Sequence, residues 1–148
     1  MKYTAGTCGR IFYLYIEHGE DPIQTITSFV REQEIRTGVI HFIGAVKNAR
    51  LVTGPTEDLL PPDPHYEPVV LAHELIGTGF IREGSDGPVI HLHVSAGRGN
   101  EVLTGCLRGT AEAFILVEAM IFECAGMEIP MAYNQAAGMP LPDPEMSG

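Results

Sequence analysis

A predicted β-hairpin at residues 88–108 constrains the fold of this chain more than any other stretch. In its first half, valine, isoleucine and leucine surround His91 and His93, a composition typical of a strand. The glycine-rich sequence SAGRGN follows and is typical of a turn. EVLTGCL then has the character of a second strand, which we expect to fold back antiparallel to the first.

The same hairpin concentrates side chains that bind metals. Residues two apart in a strand point to one face, about 6.6 Å apart along the chain, so His91 and His93 can converge on one ion. Cys106 lies in the return strand and can reach the same face. A His/His/Cys set with an open fourth position is typical of catalytic zinc sites. The alternative is a histidine pair bonded to backbone groups beside a cysteine packed as a small hydrophobe.

Length and charge limit the classes of function. The 148 residues have the size of one domain, which we expect to span 1–148 with a disordered tail at 142–148. The net charge is −10 with only nine basic residues, so a large phosphate-binding surface is not expected. The three widely spaced cysteines, and the lack of an apolar leader or membrane-spanning stretch, predict a cytoplasmic protein.

One segment outside the hairpin has the signature of a helix. Asp21 is typical of an N-cap and Pro22 of the first helical position, and Gln24 completes a spacing like that of a capping box. Apolar residues then recur at helical spacing. Because glycine commonly follows the last turn of a helix, Gly38 predicts that this helix ends near Thr37.

The remaining apolar segments predict strands. Several of them are apolar on both faces, and a single helix of roughly 14 residues, about 21 Å long, cannot cover both faces of such a sheet. We therefore expect another subunit to bury the uncovered face. Strands are expected at 9–18, on both sides of a bulge at Gly44 within 38–52, at 69–82 and at 110–124, with a proline-rich irregular loop at 53–68.

Three further polar residues are candidates for the site. Glu74 has a structural role as part of a polar pair on a half-exposed sheet, or a functional one. In the functional role it supports a ligand imidazole or acts as a general base near the metal. Arg98, in the predicted turn, is either solvated or receives an anionic group of a bound molecule. His41 is either satisfied within the sheet or placed near the metal.

The order of these motifs resembles the PPC (plants and prokaryotes conserved) domain. The resemblance rests on FVREQEIRTGVIHFIGAVKNARL, HELIGTGFIREGSDGPVIHLHVSAGRGNEVLTGCLRG and AFILVEAMIFEC, and it covers about residues 10–141. It implies an α/β (α+β-like) domain with a single mostly antiparallel sheet, one main helix packed on it, and assembly as a homotrimer. It also implies a metal, usually zinc, at the HxH pair plus a later position, often histidine in the family and Cys106 here.

Three functions are compatible with these features, but the features do not identify a reaction. The first is a zinc-binding protein, using His91, His93 and Cys106, that binds or converts a small molecule at a trimer interface. The second is a DNA-binding or regulatory protein that acts through its oligomeric surface. The net charge disfavours nucleic acid, and the basic Arg-Gly-Arg core of the AT-hook in plant relatives is missing. The third is an assembly module in which the metal only clamps the hairpin.

Overall fold

The computed structural model describes residues 1–144, and its main element is an eight-stranded antiparallel sheet. The expected fold, one mostly antiparallel sheet with one main helix, is confirmed in these residues. No helix among them is long and apolar enough to cross a membrane. The elements are β1 (Thr7–Glu17), α1 (Pro22–Glu32), β2 (Gly38–Lys47), β3 (Ala49–Pro55), β4 (Pro64–Val69), β5 (His73–Gly84), β6 (Gly87–Arg98), β7 (Glu101–Arg108), β8 (Glu112–Ala125), β9 (Met131–Asn134) and β10 (Met139–Pro142).

The strands of the large sheet pair in the order β1-β8-β2-β5-β6-β7-β3-β4, and β9 pairs with β10 in a separate hairpin. Helix α1 packs mainly against β6 and β8 and covers one face of the large sheet. Ile26 and Val30 of the helix are buried there. Burying each such side chain contributes about 1.5–3 kcal/mol, so this face holds the core. The sheet contributes Leu14, Ile16, Ile40, Phe42, Leu92, Val94, Val117 and Ile121 to it.

The opposite face of the sheet is exposed and carries large apolar side chains. They alternate with the core residues along each strand, as the two-residue repeat of a strand requires. Within one chain this second face of β1 is uncovered, and its burial by another subunit stays a prediction. We call these residues the apolar sheet face: Ile11, Tyr13, Tyr15, Ile43, Ile76 and Phe80, each between 47% and 64% exposed.

The helix is shorter than its sequence predicts, and the predicted end near Thr37 is wrong. It ends at Glu32, and Glu34 then adopts a left-handed conformation with φ of 54°. The amide of Ile35 donates to the carbonyl of Val30 at 3.0 Å, which closes the helix in the pattern of a Schellman motif. The Ile35 side chain is buried by this reversal. Burial of an apolar residue thus ends the helix before any glycine is reached.

The bulge predicted at Gly44 is confirmed. The register of β2 against β8 shifts between Gly44 and Val46. Gly44 has φ of 143°, and a Cβ at this position would collide with the carbonyl oxygen of Leu116. Only glycine accepts this conformation and approach without strain, so the residue lets two neighbouring strands stay paired across the irregularity.

The irregular loop predicted at 53–68 is wrong at both ends. Strand β3 continues to Pro55 and β4 begins at Pro64, which leaves only residues 56–63 between them. Strand β4 lies at one edge of the sheet, where a proline removes no hydrogen bond from the ladder.

Of the tail predicted at 142–148, Pro142 ends β10, and residues 145–148 lie outside the described part of the chain.

Candidate metal centre

The three predicted ligands lie side by side on the exposed face of the sheet. His91 and His93 belong to β6, and His93 is the direct cross-strand partner of Cys106 on β7. Leu92 and Val94, which alternate with the histidines, are buried in the core. Because a strand turns successive side chains to opposite faces, burial of these two residues fixes both imidazoles on the outer face.

The separations of the ligand atoms suit a small tetrahedral ion. Nε2 of His91 and Nε2 of His93 are 3.1 Å apart, and one ring nitrogen of each histidine lies with Cys106 Sγ in a group no wider than 4.8 Å. Tetrahedral zinc needs about 3.3 Å between two nitrogens and about 3.6 Å between nitrogen and sulfur. The imidazoles are thus already near this separation, and the thiol must approach by about 1 Å, within the reach of a χ1 adjustment.

The protonation of the ligands is shifted by their surroundings. Burial lowers the pKa of His91, and the neighbouring His93, Arg108 and Arg82 lower it further. The imidazole is therefore neutral at pH 7 and free to bind a metal. Burial raises the pKa of the Cys106 thiol, with Arg108 acting in the opposite direction. Because a thiol binds zinc as the thiolate, metal binding at Cys106 releases a proton.

A cavity of about 730 Å³ opens over the three ligand residues. This volume is within the range of sites that hold small molecules. The floor is polar, since it carries the two imidazoles, and Arg108 lies beside them. The wall is mainly apolar and comes from other strands and from the 56–63 segment. It includes Val52, Pro55, Pro62, Pro64, Tyr66 and Met139.

The sequence over most of this structure matches a known family. Residues 3–125, well over half of the chain, match the sequence model of the Plants and Prokaryotes Conserved (PCC) domain. This chain belongs to the PCC domain family. The two strands that carry the candidate ligands lie inside the matched range, so the site is part of the PCC domain itself. No curated protein matches the sequence significantly.

Solved structures share the fold of this PCC domain over almost its whole length. A metal-containing protein of Archaeoglobus fulgidus is 26% identical, with a TM-score of 0.85 over 95% of this chain and 98% of its own. A plant- and prokaryote-conserved protein of Pyrococcus horikoshii is 23% identical, with a TM-score of 0.83 over 97% of both chains. A candidate DNA-binding protein of Bacteroides thetaiotaomicron is 21% identical, with a TM-score of 0.77 over 96% and 99%.

Within one PCC chain, Glu74 and Arg98 are not brought to the ligands. Glu74 lies four residues before Thr78, the cross-strand partner of His93, and so about 13 Å away along β5. Arg98 ends β6, and its guanidinium donates a hydrogen bond to the carbonyl of Ala72 at 3.0 Å. Their roles at the site stay predictions, which require the corresponding residues of a neighbouring chain.

His41 lies in the same cross-strand row as the site but not in it. It pairs with Thr78, which in turn pairs with His93, so two strand spacings of about 4.8 Å separate the histidines. The His41 ring makes an edge-to-face contact with Phe122, with ring centroids 6.1 Å apart. His41 is exposed and does not belong to the group of candidate ligands, so the structure does not support a role for it at the metal within one chain.

Sequence analysis missed two arginines of this PCC site. Arg108 lines the cavity, and Arg82 is close enough for its charge to lower the pKa of His91. The signal for Arg108 was present, because a residue two positions after Cys106 in a strand must share its face. Arg82 could not be found from the sequence, because its place beside His91 depends on the register between β5 and β6, in which Arg82 pairs with Val89.

Proposed function

We propose that this PCC-domain protein binds one divalent ion, zinc in the simplest case, at His91, His93 and Cys106, and binds or converts a small molecule beside it. The observation that carries the proposal is the 3.1 Å separation of the two imidazole nitrogens next to a thiol, at the floor of a cavity. The metal-containing relative from Archaeoglobus fulgidus adds support. The three free cysteines of the described residues are consistent with a cytoplasmic location, where disulfides are rare.

The donor set determines what such a site does. Two neutral imidazoles and one thiolate would give zinc three protein ligands, the number typical of catalytic sites that keep one position open. A zinc ion held this way supplies a Lewis acid that polarises a carbonyl or lowers the pKa of a bound water. The protein's own contribution is to fix the ligand atoms on a rigid hairpin and to shield one side of the site with the apolar wall. Among residues 1–144, no nucleophile beside the ligands identifies a reaction.

The proposal includes assembly as a homotrimer through the apolar sheet face. Six large apolar side chains exposed on one continuous surface are unusual for a monomer and typical of a surface that another subunit covers. The number three follows from the family resemblance. The face adjoins the candidate metal centre, since Phe80 is the cross-strand partner of His91. A neighbouring chain would thus approach the site, where its Glu74 or Arg98 has the chance to contribute.

Metal analysis tests the function directly. Protein purified without an affinity tag should contain about one zinc per chain, and a His91→Ala/His93→Ala variant should contain none. A His65→Ala/His73→Ala variant loses the same number of histidines from positions that do not line the cavity and serves as the control. Equal zinc in the site variant and the control would overturn the proposal.

Light scattering coupled to size exclusion tests the assembly. A trimer has three times the 16.1 kDa mass of one chain. A Tyr13→Glu/Ile76→Glu variant places two charges in the apolar sheet face and should run as a monomer. A wild-type mass of one chain would contradict any assembly, and a mass of two chains would contradict the trimer.

A further inference from the structure

Among residues 1–144, three arginines near the candidate metal centre pair with no carboxylate, although the protein is acidic. The sequence has 19 acidic and nine basic residues, so a basic side chain has many carboxylates to choose from. Elsewhere in residues 1–144, Arg98 donates to a backbone carbonyl and the Arg31 side chain has no hydrogen bond or ion pair, whereas four basic side chains pair with carboxylates: Lys2 with Asp143, Arg10 with Glu123, Arg36 with Glu83 and Lys47 with Glu112. In the same part of the chain, Arg50, Arg82 and Arg108 make neither a hydrogen bond nor an ion pair.

Two of these arginines contact aromatic rings instead, while Arg108 lines the cavity. The Arg50 guanidinium carbon lies 4.4 Å from the centre of the Tyr66 ring, and that of Arg82 lies 4.9 Å from the centre of Phe80. Nε of Arg82 is buried without any hydrogen-bond partner. Stacking holds the guanidinium groups of Arg50 and Arg82 in place and leaves their N–H groups available, which suits recognition of an anion.

The sheet register brings two of the positive charges together. Arg50 of β3 and Arg108 of β7 are direct cross-strand partners and lie on the face that carries Cys106. Like charges directly opposite on neighbouring strands destabilise a sheet. An anion that accepts hydrogen bonds beside them removes this cost. Of the two, Arg108 lines the cavity over the metal ligands, and Tyr66, which holds Arg50, lines it as well.

We propose that the cavity binds a small organic carboxylate, whose carboxylate group pairs with Arg108 and whose body packs against the apolar wall. This inference deepens the proposed function and rests on it. A planar guanidinium fork matches the two oxygens of a carboxylate. The wall of Val52, Pro55, Tyr66 and Met139 offers an apolar body a surface to bury. Arg50 strengthens the positive potential and does not need to touch the ligand.

Isothermal titration calorimetry with matched probes tests the inference on the zinc-loaded, full-length protein. Phenylacetate should bind at least about tenfold more tightly than phenylacetamide, its neutral counterpart, because only the acid forms a charge-assisted pair. In an Arg108→Gln variant the two probes should bind equally weakly, and Arg108→Lys should recover only part of the difference. An Arg36→Gln variant removes an arginine that does not line the cavity and should retain the wild-type preference. Inorganic phosphate should not displace phenylacetate at equal concentration.

Each contrary result has a definite meaning. Equal binding of acid and amide to the wild type, no binding of either, or an unchanged preference in Arg108→Gln would overturn the carboxylate site. Displacement by phosphate would overturn the choice of a carboxylate. Zinc content is measured on the same samples, so a protein that binds zinc but shows no preference fails this inference alone. If the protein takes up no zinc but still prefers the acid over the amide, the anion site stands and the proposed metal function fails.

Discussion

An ion pair at the junction of β1, β8 and α1 provides a test of how the fold responds to pH. Glu123 accepts hydrogen bonds from Arg10 Nε and Nη2, both at 2.8 Å, and from the Arg10 backbone amide at 3.0 Å. Nη2 of Arg10 also donates to the carbonyl of Gln33, just beyond α1. The Arg10 guanidinium, followed by the backbone amide, lowers the pKa of Glu123 from 4.5 to about 2.

The size of the effect follows from this lowered pKa. A change of the Glu123 pKa from 4.5 to about 2 means that the interactions of this carboxylate contribute at most about 3 kcal/mol to the free energy of unfolding. Because half of the Arg10 side chain is exposed, solvent screening reduces the expected value to about 1–2 kcal/mol. The folded-state pKa is the lower one, so the stabilisation is complete above about pH 4.5 and declines as the pH falls toward 2.

We therefore expect Glu123→Gln to lower the free energy of unfolding by about 1–2 kcal/mol at pH 7 and by much less at pH 3. Urea unfolding at both values, at one fixed protein concentration, measures the difference. Glu57→Gln, in an exposed loop, is the matched control and should change stability little at either pH. An equal loss at pH 3 and pH 7, or a similar loss in the control, would refute the electrostatic reasoning.

Three other expectations follow from the structure. Glu34→Gly should stabilise the fold by about 0.5–1 kcal/mol in thermal unfolding, because it relieves a left-handed residue, whereas Ser28→Gly inside the helix should destabilise it; a loss in both would contradict this account. Gly77→Ala should cost about 1–3 kcal/mol, because the added Cβ would meet the Phe42 ring, and a further Phe42→Leu change should recover part of that loss; no recovery would count against the proposed clash. Fluorescence anisotropy should show weak or no binding to duplex DNA at about 150 mM salt, because the net charge is −10; submicromolar, sequence-dependent binding would instead favour the DNA-associated function.

The parts of the structure that the sequence predicts are local. The histidine hairpin follows from strand alternation and a short turn, both of which are visible in one stretch of sequence. The N-cap is equally local: Asp21 accepts hydrogen bonds from the amides of Ile23 and Gln24 at 2.9 and 3.2 Å. The capping-box prediction was incomplete, because Gln24 contacts Asp21 through its backbone N–H and not through its side chain.

The parts that could not be predicted depend on distant contacts. The helix ends where it does because Ile35 finds a place in the core, and no local residue type reveals that place. The cavity wall depends on the pairing of Val52 with Cys106, which are far apart in the chain. The prolines around Tyr66 indicated a loop, since nothing in the local sequence shows that their strand lies at a sheet edge.

The division of the site between two parts of the sheet bears on how the protein can diversify. The candidate ligands occupy positions 91 to 106 on one hairpin, whereas the apolar wall comes from β3, β4, the 56–63 segment and Met139. Insertions in a surface segment such as 56–63 cost little and leave the ligand atoms where they are. Evolution can thus change the ligand specificity of the cavity through its wall residues while the hairpin and its candidate ligands stay the same.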